Sequence, residues 1–371
     1  MKTKIIKTKL LLTTIVSAFI ILPSALGQGA LTPPGAPAPT MKTLAQIEPR
    51  TAITNAASAV TISQPGSYYL TGNLTVSSGN AITIATNGVT LDLNGFTIRS
   101  TTASAAGYAI VFSGSSPRDI TILNGHIQGG VTNNGGGVYN GSGFDSGIYY
   151  SNSAPVNVLV SKVSVSGCLT YGIYLNNGDA TVVEACTART IGGYGIWAST
   201  VKGCGAADCG NTAIQGDQVS DCRGASVGSG FGIYAINTAQ NCYGTNSGSG
   251  YGIAASTAQN CSGYSSGGGN GLYASTAQNC YGYCSGGGIA FGDTTAQNCY
   301  AYCNGGNAML TTIALNCYGS AIGLGYGINA NIAQNCYATS TTGIGLTAFI
   351  ANSCHGIGSP GVSATHNVNS F

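Results

Sequence analysis

The sequence predicts an all-β fold, a single-stranded parallel β-helix (solenoid) of roughly 14 coils of about 19 residues each. Three observations carry this. Cysteines fall at 168, 186, 204, 222, 242, 261, 280, 299, 317, 336 and 354, with every gap 18 to 20 residues. Aligned on those cysteines, each position keeps one chemical character from unit to unit. A unit of this length, with apolar residues in short runs and repeated Gly/Ser clusters, leaves room for short strands and bends but not for a helix of ordinary length. Coils of that kind pair in parallel and in register at about 4.8 Å per coil, for a body about 65 Å long.

The columns predict side-chain directions. Three residues before each cysteine lies Val165, Val183, Val201, Val219 or an alanine from Ala239 to Ala351. Eight before lies Ile196, Ile214, Ile253, Leu272, Phe291, Met309, Ile328 or Leu346, with Ile233 displaced by one. Both columns are expected to face a narrow interior. Asn241, Asn260, Asn279, Asn298, Asn316 and Asn335 precede a cysteine directly. Asparagine tolerates left-handed backbone and its amides bond along a stack, so it is placed at a bend. With a bend there, the cysteines face inward; without one, strict alternation turns them outward.

In chain order, Lys2, Lys4, Lys7 and Lys9 precede an apolar run from Leu10 to Leu22 and a small-residue site at Ala25-Leu26-Gly27. That is the pattern of a signal peptide, residues 1–27, cleaved before Gln28. It predicts an exported chain, secreted or at the cell surface, with no membrane span after cleavage. Residues 28–58 read as a Pro-rich linker and N-terminal cap segment, with residues near 45–60 expected to cover the first coil. The β-helix is assigned to 59–371, in long coils to about 145 and cysteine-period coils after. Loops are expected at Thr101–Tyr108 and Val131–Phe144.

Several stretches resemble secreted bacterial right-handed parallel β-helix repeat proteins. Residues 31–44 (LTPPGAPAPTMKTL) and 46–51 (QIEPRT) look like their leader. Residues 65–74 (PGSYYLTGNL) and 89–98 (VTLDLNGFTI) are similar to their first coils, and 120–127 (ITILNGHI) repeats the second motif. The resemblance implies the pectate-lyase-like superfamily fold. It implies little about activity, since that fold hosts lyases, hydrolases, adhesins and inert fibres.

Composition narrows the function classes. Removing a leader with four lysines leaves eight basic against ten acidic residues, a net of −2, which excludes nucleic acid as a partner. Charged residues are 6 % of the chain, against about 25 % in ordinary domains. From Gly224 to Phe371 the only Asp, Glu, Lys or Arg is Asp293. Polygalacturonase-like hydrolases in the superfamily show Asn-Thr-Asp, Asp-Asp, Gly-His-Gly and Arg-x-Lys runs, none of which occurs here; Gly125-His126-Ile127 lacks the second glycine. The candidates for acid–base chemistry are Asp217 and Asp221, near Asp208 and Arg223, and the pair Asp179 and Glu184. Glu184 and Lys202 occupy equivalent positions and are expected to form a solvated ion pair across adjacent coils. His126 and His355 are placed at turns or the surface.

Fourteen cysteines in an exported chain raise two alternatives, buried free thiols or coil-to-coil bridges. Cys209, Cys284 and Cys303 lie off the main column; the paired Cys-x3-Cys spacings match no zinc pattern, so no metal is assigned. No cofactor is expected, and calcium enters only under a lyase reading. Tyr243, Tyr281, Tyr300, Tyr318 and Tyr337 each follow a column cysteine and form the candidate binding stripe, beside Gln240, Gln259, Gln278, Gln297 and Gln334. Stacked tyrosines also serve simply to shield the ladder. The expected role is therefore non-catalytic, structural, adhesive or glycan-binding, with a polysaccharide or cell-surface glycan as partner. The alternative is a polysaccharide lyase or glycoside hydrolase.

Overall fold

A computed structural model describes residues 48–54, 59–150, 152, 155–176 and 179–371. The chain divides into two units, Met1–Pro49 and Arg50–Phe371. The signal-peptide and linker residues up to 47 lie outside the described residues, as do 55–58. Among the described residues there is no helix, and so none long and apolar enough to cross a membrane.

Arg50–Phe371 is a parallel β-solenoid of about 16 turns. One coil shows the pattern. Ile253–Ala255 forms a first face and Thr257–Gln259 a second, read through as the single strand Ile253–Gln259; Ser262–Ser265 forms a third. Each strand pairs in parallel with its counterpart one coil away. The count exceeds the expected 14 because the stack begins at Thr51–Ile53, paired with Tyr68–Leu70, and runs through Val362–Val368, paired with Leu346–Asn352.

The interior is built from files. Ile173, Ile196, Ile214, Ile233, Ile253, Leu272, Phe291, Met309, Ile328 and Leu346 stack in register and are fully buried. Each such side chain contributes about 2 kcal/mol of burial. Ile233 keeps its place in the file although its coil is one residue longer. The extra residue is taken up as a bulge between Ala235 and Thr238. The third face lies so close to the first that its inner file holds only Gly or Ala from Ala188 on. A Cβ on Gly263 would run into the carbonyl of Gly271.

The asparagine column sits at the bend between the second and third faces. Asn241, Asn260, Asn279, Asn298, Asn316 and Asn335 all have φ of 52–54°. Their amides form a ladder, Nδ2 of one donating to Oδ1 of the previous at 3.2–3.3 Å. The bend resets the alternation, and the following cysteine turns inward. Cys186, Cys204, Cys222, Cys242, Cys261, Cys280, Cys299, Cys317, Cys336 and Cys354 are all buried. Each thiol donates to a carbonyl two residues back, as Cys261 Sγ does to Gln259 at 3.2 Å. Neighbouring coils interlock as well, with the Cys261 N–H donating to Cys280 Sγ at 3.5 Å.

Cys168 does not belong to this column. Val160, not Val165, stacks on Val183, and Val163 occupies the cysteine position, its N–H donating to Cys186 Sγ at 3.4 Å. Cys168 lies on the third face in register with Ile191 and then Cys209, the file that later holds Cys284 and Cys303. Those last two are bridged, with a Cα–Cα distance of 4.7 Å. The two expected thiol states thus divide between files: the main column is free and one pair of the other is a disulfide. Burial pushes the Cys168 and Cys209 thiols up.

The stretch from Val131 to Phe144, expected as a loop, contains an antiparallel hairpin, Gly130–Asn133 with Tyr139–Ser142. It drapes over later coils. Asp208 Oδ1 accepts from Asn133 Nδ2 at 2.6 Å and from the Tyr139 hydroxyl at 2.8 Å.

Candidate aromatic binding surface

Two outward-facing aromatic surfaces stand out. On the third face, Tyr281, Tyr300, Tyr318, Tyr337 and His355 stack at 5.3, 4.7, 5.3 and 5.0 Å between ring centroids, with planes within 17° of parallel. Register explains this: each residue sits one coil above the last, and coil spacing matches ring spacing. A second file, Tyr264, Tyr283 and Tyr302, runs alongside at 5.5 and 5.7 Å. Within such a file each ring face is covered by the next ring, leaving edges and hydroxyls outward. Burial first, and then the neighbouring phenols, push the Tyr281 hydroxyl up to about 12.

The stack changes where a tyrosine is missing. Ser262 lies between Tyr243 and Tyr281 in register. Tyr264 leans into that gap, its ring 5.1 Å from Tyr243 and 5.4 Å from Tyr281 at angles above 40°. In its own file Tyr264 is preceded by Thr245 and Ala225, which are too small to cover it. The result is a step in the surface, a groove of about 280 Å³. Tyr243, Tyr264 and Tyr283 line it together with the small residues Ala225, Thr245, Ser247 and Ser266. Arg223 lies over the far face of Tyr243 at 4.8 Å.

Of the five tyrosines expected from the cysteine columns, only Tyr243 borders this groove. Tyr281, Tyr300, Tyr318 and Tyr337 form the continuous stack beside it. Tyr264 and Tyr283, which complete the groove, fall two residues further along each strand. The signal for them was the Tyr-x-Tyr spacing of Tyr281-Gly282-Tyr283 and Tyr300-Ala301-Tyr302, which puts two rings on one face of a strand. Gln240, Gln259 and Gln278 form an amide ladder on the second face, with contacts of 3.4 Å, away from the tyrosines.

The candidate acids are not drawn to this groove. Asp221 sits at the asparagine bend with φ of 55° and accepts from Asn241 Nδ2 at 3.0 Å. Asp217 lies at the preceding bend of the same coil, on the other side of the strand segment Gln218–Ser220. Glu184 and Lys202 are register partners, but Glu184 instead accepts from Ser161 Oγ at 3.1 Å, so the expected ion pair does not form. The Asp179 side chain lies outside the described residues. Asp208 is engaged by the hairpin. Burial pushes its carboxyl up, but hydrogen bonds from Asn133, Tyr139 and Thr190 and the charge of Arg189 outweigh that and hold it below its usual range. Among the described residues, no group of three or more His, Cys, Asp or Glu is placed to hold a metal.

No protein-family model matches the chain, and no curated protein matches it. Two solved structures are similar. One is the A-module of mannuronan C-5 epimerase AlgE6 from Azotobacter vinelandii, at 13 % identity and a TM-score of 0.37, covering 83 % of this chain and 91 % of that one. The other is DFA-IIIase from Arthrobacter chlorophenolicus A6, at 10 % identity and a TM-score of 0.33, covering 80 % and 78 %. Likeness at this level says nothing of ligand or reaction. The fold rests on the strand register itself.

Proposed function

We propose that this chain is an exported or surface-displayed solenoid that contacts glycans through the third-face groove without turning them over. The observation that carries this reading is the step at Tyr264. It is a concave site lined by phenol rings and small hydroxyls, on a rigid scaffold with almost no charge. Sugar rings present apolar C–H faces to aromatic rings and hydroxyls to Ser and Thr, so the lining matches that chemistry. The parallel stack from Tyr281 to Tyr337 extends the surface along the solenoid axis, where a polymer can lie against ring edges and hydroxyls. A structural or adhesive role follows from the same geometry, because a long regular body with a linear contact strip suits attachment to a polymer.

The test is affinity electrophoresis and a glycan array with the folded protein and two variants. Tyr264→Ala and Tyr283→Ala are expected to weaken retention at least about tenfold, equivalent to about 1.4 kcal/mol. Wild-type retention by none of the polysaccharides, or undiminished retention by both variants, would refute the reading.

A further inference from the structure

The first face carries its own aromatic cluster, and beside it a carboxylate that pairs with no cationic side chain among the described residues. Tyr108, Ser146 and Tyr171 are in register on three successive coils. Ser146 leaves a gap in that file, and Tyr149 from the neighbouring file leans across it. Its ring lies 4.5 Å from Tyr108 and 5.5 Å from Tyr171. Further along, Trp197 meets Tyr174 at 76° and Tyr194 at 36°, so these rings do not close into a parallel stack.

Asp145 stands at the Ser146 gap. Its Oδ1 accepts from Thr170 Oγ1 at 2.6 Å and its Oδ2 from Ser146 Oγ at 2.7 Å. Two hydroxyls thus orient the carboxylate, and each oxygen keeps a lone pair for another donor. The strands Tyr108–Phe112, Ser146–Tyr149, Tyr171–Tyr174 and Tyr194–Trp197 contain no charged residue. Among the described residues on this part of the face, Asp145 is therefore the single charge. Burial and then its neighbours, Asp145 among them, push the Tyr108 and Tyr171 phenols up, which keeps the rings neutral beside the carboxylate.

A carboxylate held by two hydroxyls beside uncharged phenols, with no cationic partner among the described residues, favours an organic cation. A hard metal ion is a poor fit, since calcium takes six to eight oxygens and one carboxylate with two hydroxyls falls well short. We infer that Asp145, with Tyr108, Tyr149 and Tyr171, forms a site for the ammonium group of an amino sugar, a hexosamine unit with a free amine. This rests on the glycan-contacting reading above and adds a chemical class and a second location. The sugar ring would lie against the edges and hydroxyls of the tyrosines while its ammonium donates to Asp145. N-acetylation removes both the charge and two of the donors.

The experiment is calorimetric titration, at pH 6 and low salt, with three β-1,4-linked tetramers: glucosamine, N-acetylglucosamine and glucose. The wild-type protein is expected to bind the glucosamine tetramer at least tenfold more tightly than the other two, with the preference shrinking as salt rises. Asp145→Asn is expected to abolish the preference, with retention of neutral polysaccharide at the third-face groove serving as the check that it has folded. Tyr149→Ala is expected to weaken binding of the amine without changing that check. Equal binding of the three tetramers, or an amine preference that survives in Asp145→Asn, overturns this inference and leaves the groove reading intact. Failure of the wild-type protein to bind any tetramer or polysaccharide overturns both.

Discussion

Replacing Asp293 by alanine is expected to stabilise the solenoid, and increasingly so as pH rises above mildly acidic values. Asp293 occupies an inner file that reads Ala274 on the coil before and, two and three coils on, Ala330 and Ala348. Both of its carboxyl oxygens are buried and lack a hydrogen-bond partner. Thr311 lies near enough to ease the burial slightly. Its hydroxyl, however, is committed to the carbonyls of Thr294 and Ile313 at 3.2 and 3.1 Å. Burial therefore dominates, and pushes the carboxyl from an ordinary 3.8 up to about 7. Between those values the folded chain holds a proton that the unfolded chain releases, so stability falls as pH rises. The loss is absent below pH 4 and complete above pH 7. A shift of about three units corresponds to about 4 kcal/mol. Alanine matches Ala274, Ala330 and Ala348 in the same file and does not titrate. Denaturant unfolding followed by circular dichroism, for both proteins from pH 4 to 8, isolates the effect, because every other titrating group cancels in the difference. The variant's advantage should grow by about 4 kcal/mol between pH 4 and pH 8. An advantage that stays flat across that range would refute the burial argument.

Three further outcomes follow from the ladders and the hairpin. Asn279→Ala should cost about 2–4 kcal/mol, combining left-handed backbone on a residue with a Cβ and two lost amide bonds, while Asn279→Gly should cost about half as much; denaturant unfolding of the two variants checks the ordering. Unfolding without reductant should expose 12 free thiols and leave a single bridge between Cys284 and Cys303, whereas the folded protein should resist thiol labelling; peptide mapping by mass spectrometry reads both. The Asp208 carboxyl is held low in the folded chain, so its contribution to the hairpin is present above its unfolded value of 3.8 and lost as pH falls through the lower folded value. Amide protection at Val131–Asn133 and Tyr139–Ser142, relative to the intrinsic exchange rate at each pH, should therefore fall on acidification ahead of the coils beneath, and Asp208→Ala should show that lowered protection at neutral pH.

Much of this was legible because a repeat shorter than a helix-plus-strand unit admits few folds. The inward aliphatic file, the asparagine bend and the separate placement of Cys284 and Cys303 follow from spacing alone. Cys168 did not, for a physical reason. The coil from Val160 to Val183 spans 23 residues, yet Cys168 lies 18 before Cys186 because it sits on the third face rather than at the bend. A buried small residue looks the same in sequence from either place. The hairpin was also missed, although Gly135-Gly136-Gly137 between Val131-Thr132-Asn133 and Val138-Tyr139 is a turn between two short strand runs. Tyr264 and Tyr149 show a different limit. Their ring positions depend on Ser262 and Ser146 in the adjacent file, a contact between coils that no single unit reveals. Asp293 stood out as an isolated charge. Whether it faced in or out turned on the phase of the chain at a bend, which only the register settles.

Binding without turnover at the aromatic surface is open to direct measurement. The direct measurement is to incubate the purified protein, with and without calcium, with uronic-acid, amino-sugar and neutral polysaccharides. Retention and the release of reducing or unsaturated ends are then followed in the same samples. The expected result is retention of at least one polysaccharide, diminished by Tyr264→Ala, with no new chain ends formed. Release of chain ends that disappears with Asp217→Asn or Asp221→Asn would contradict it.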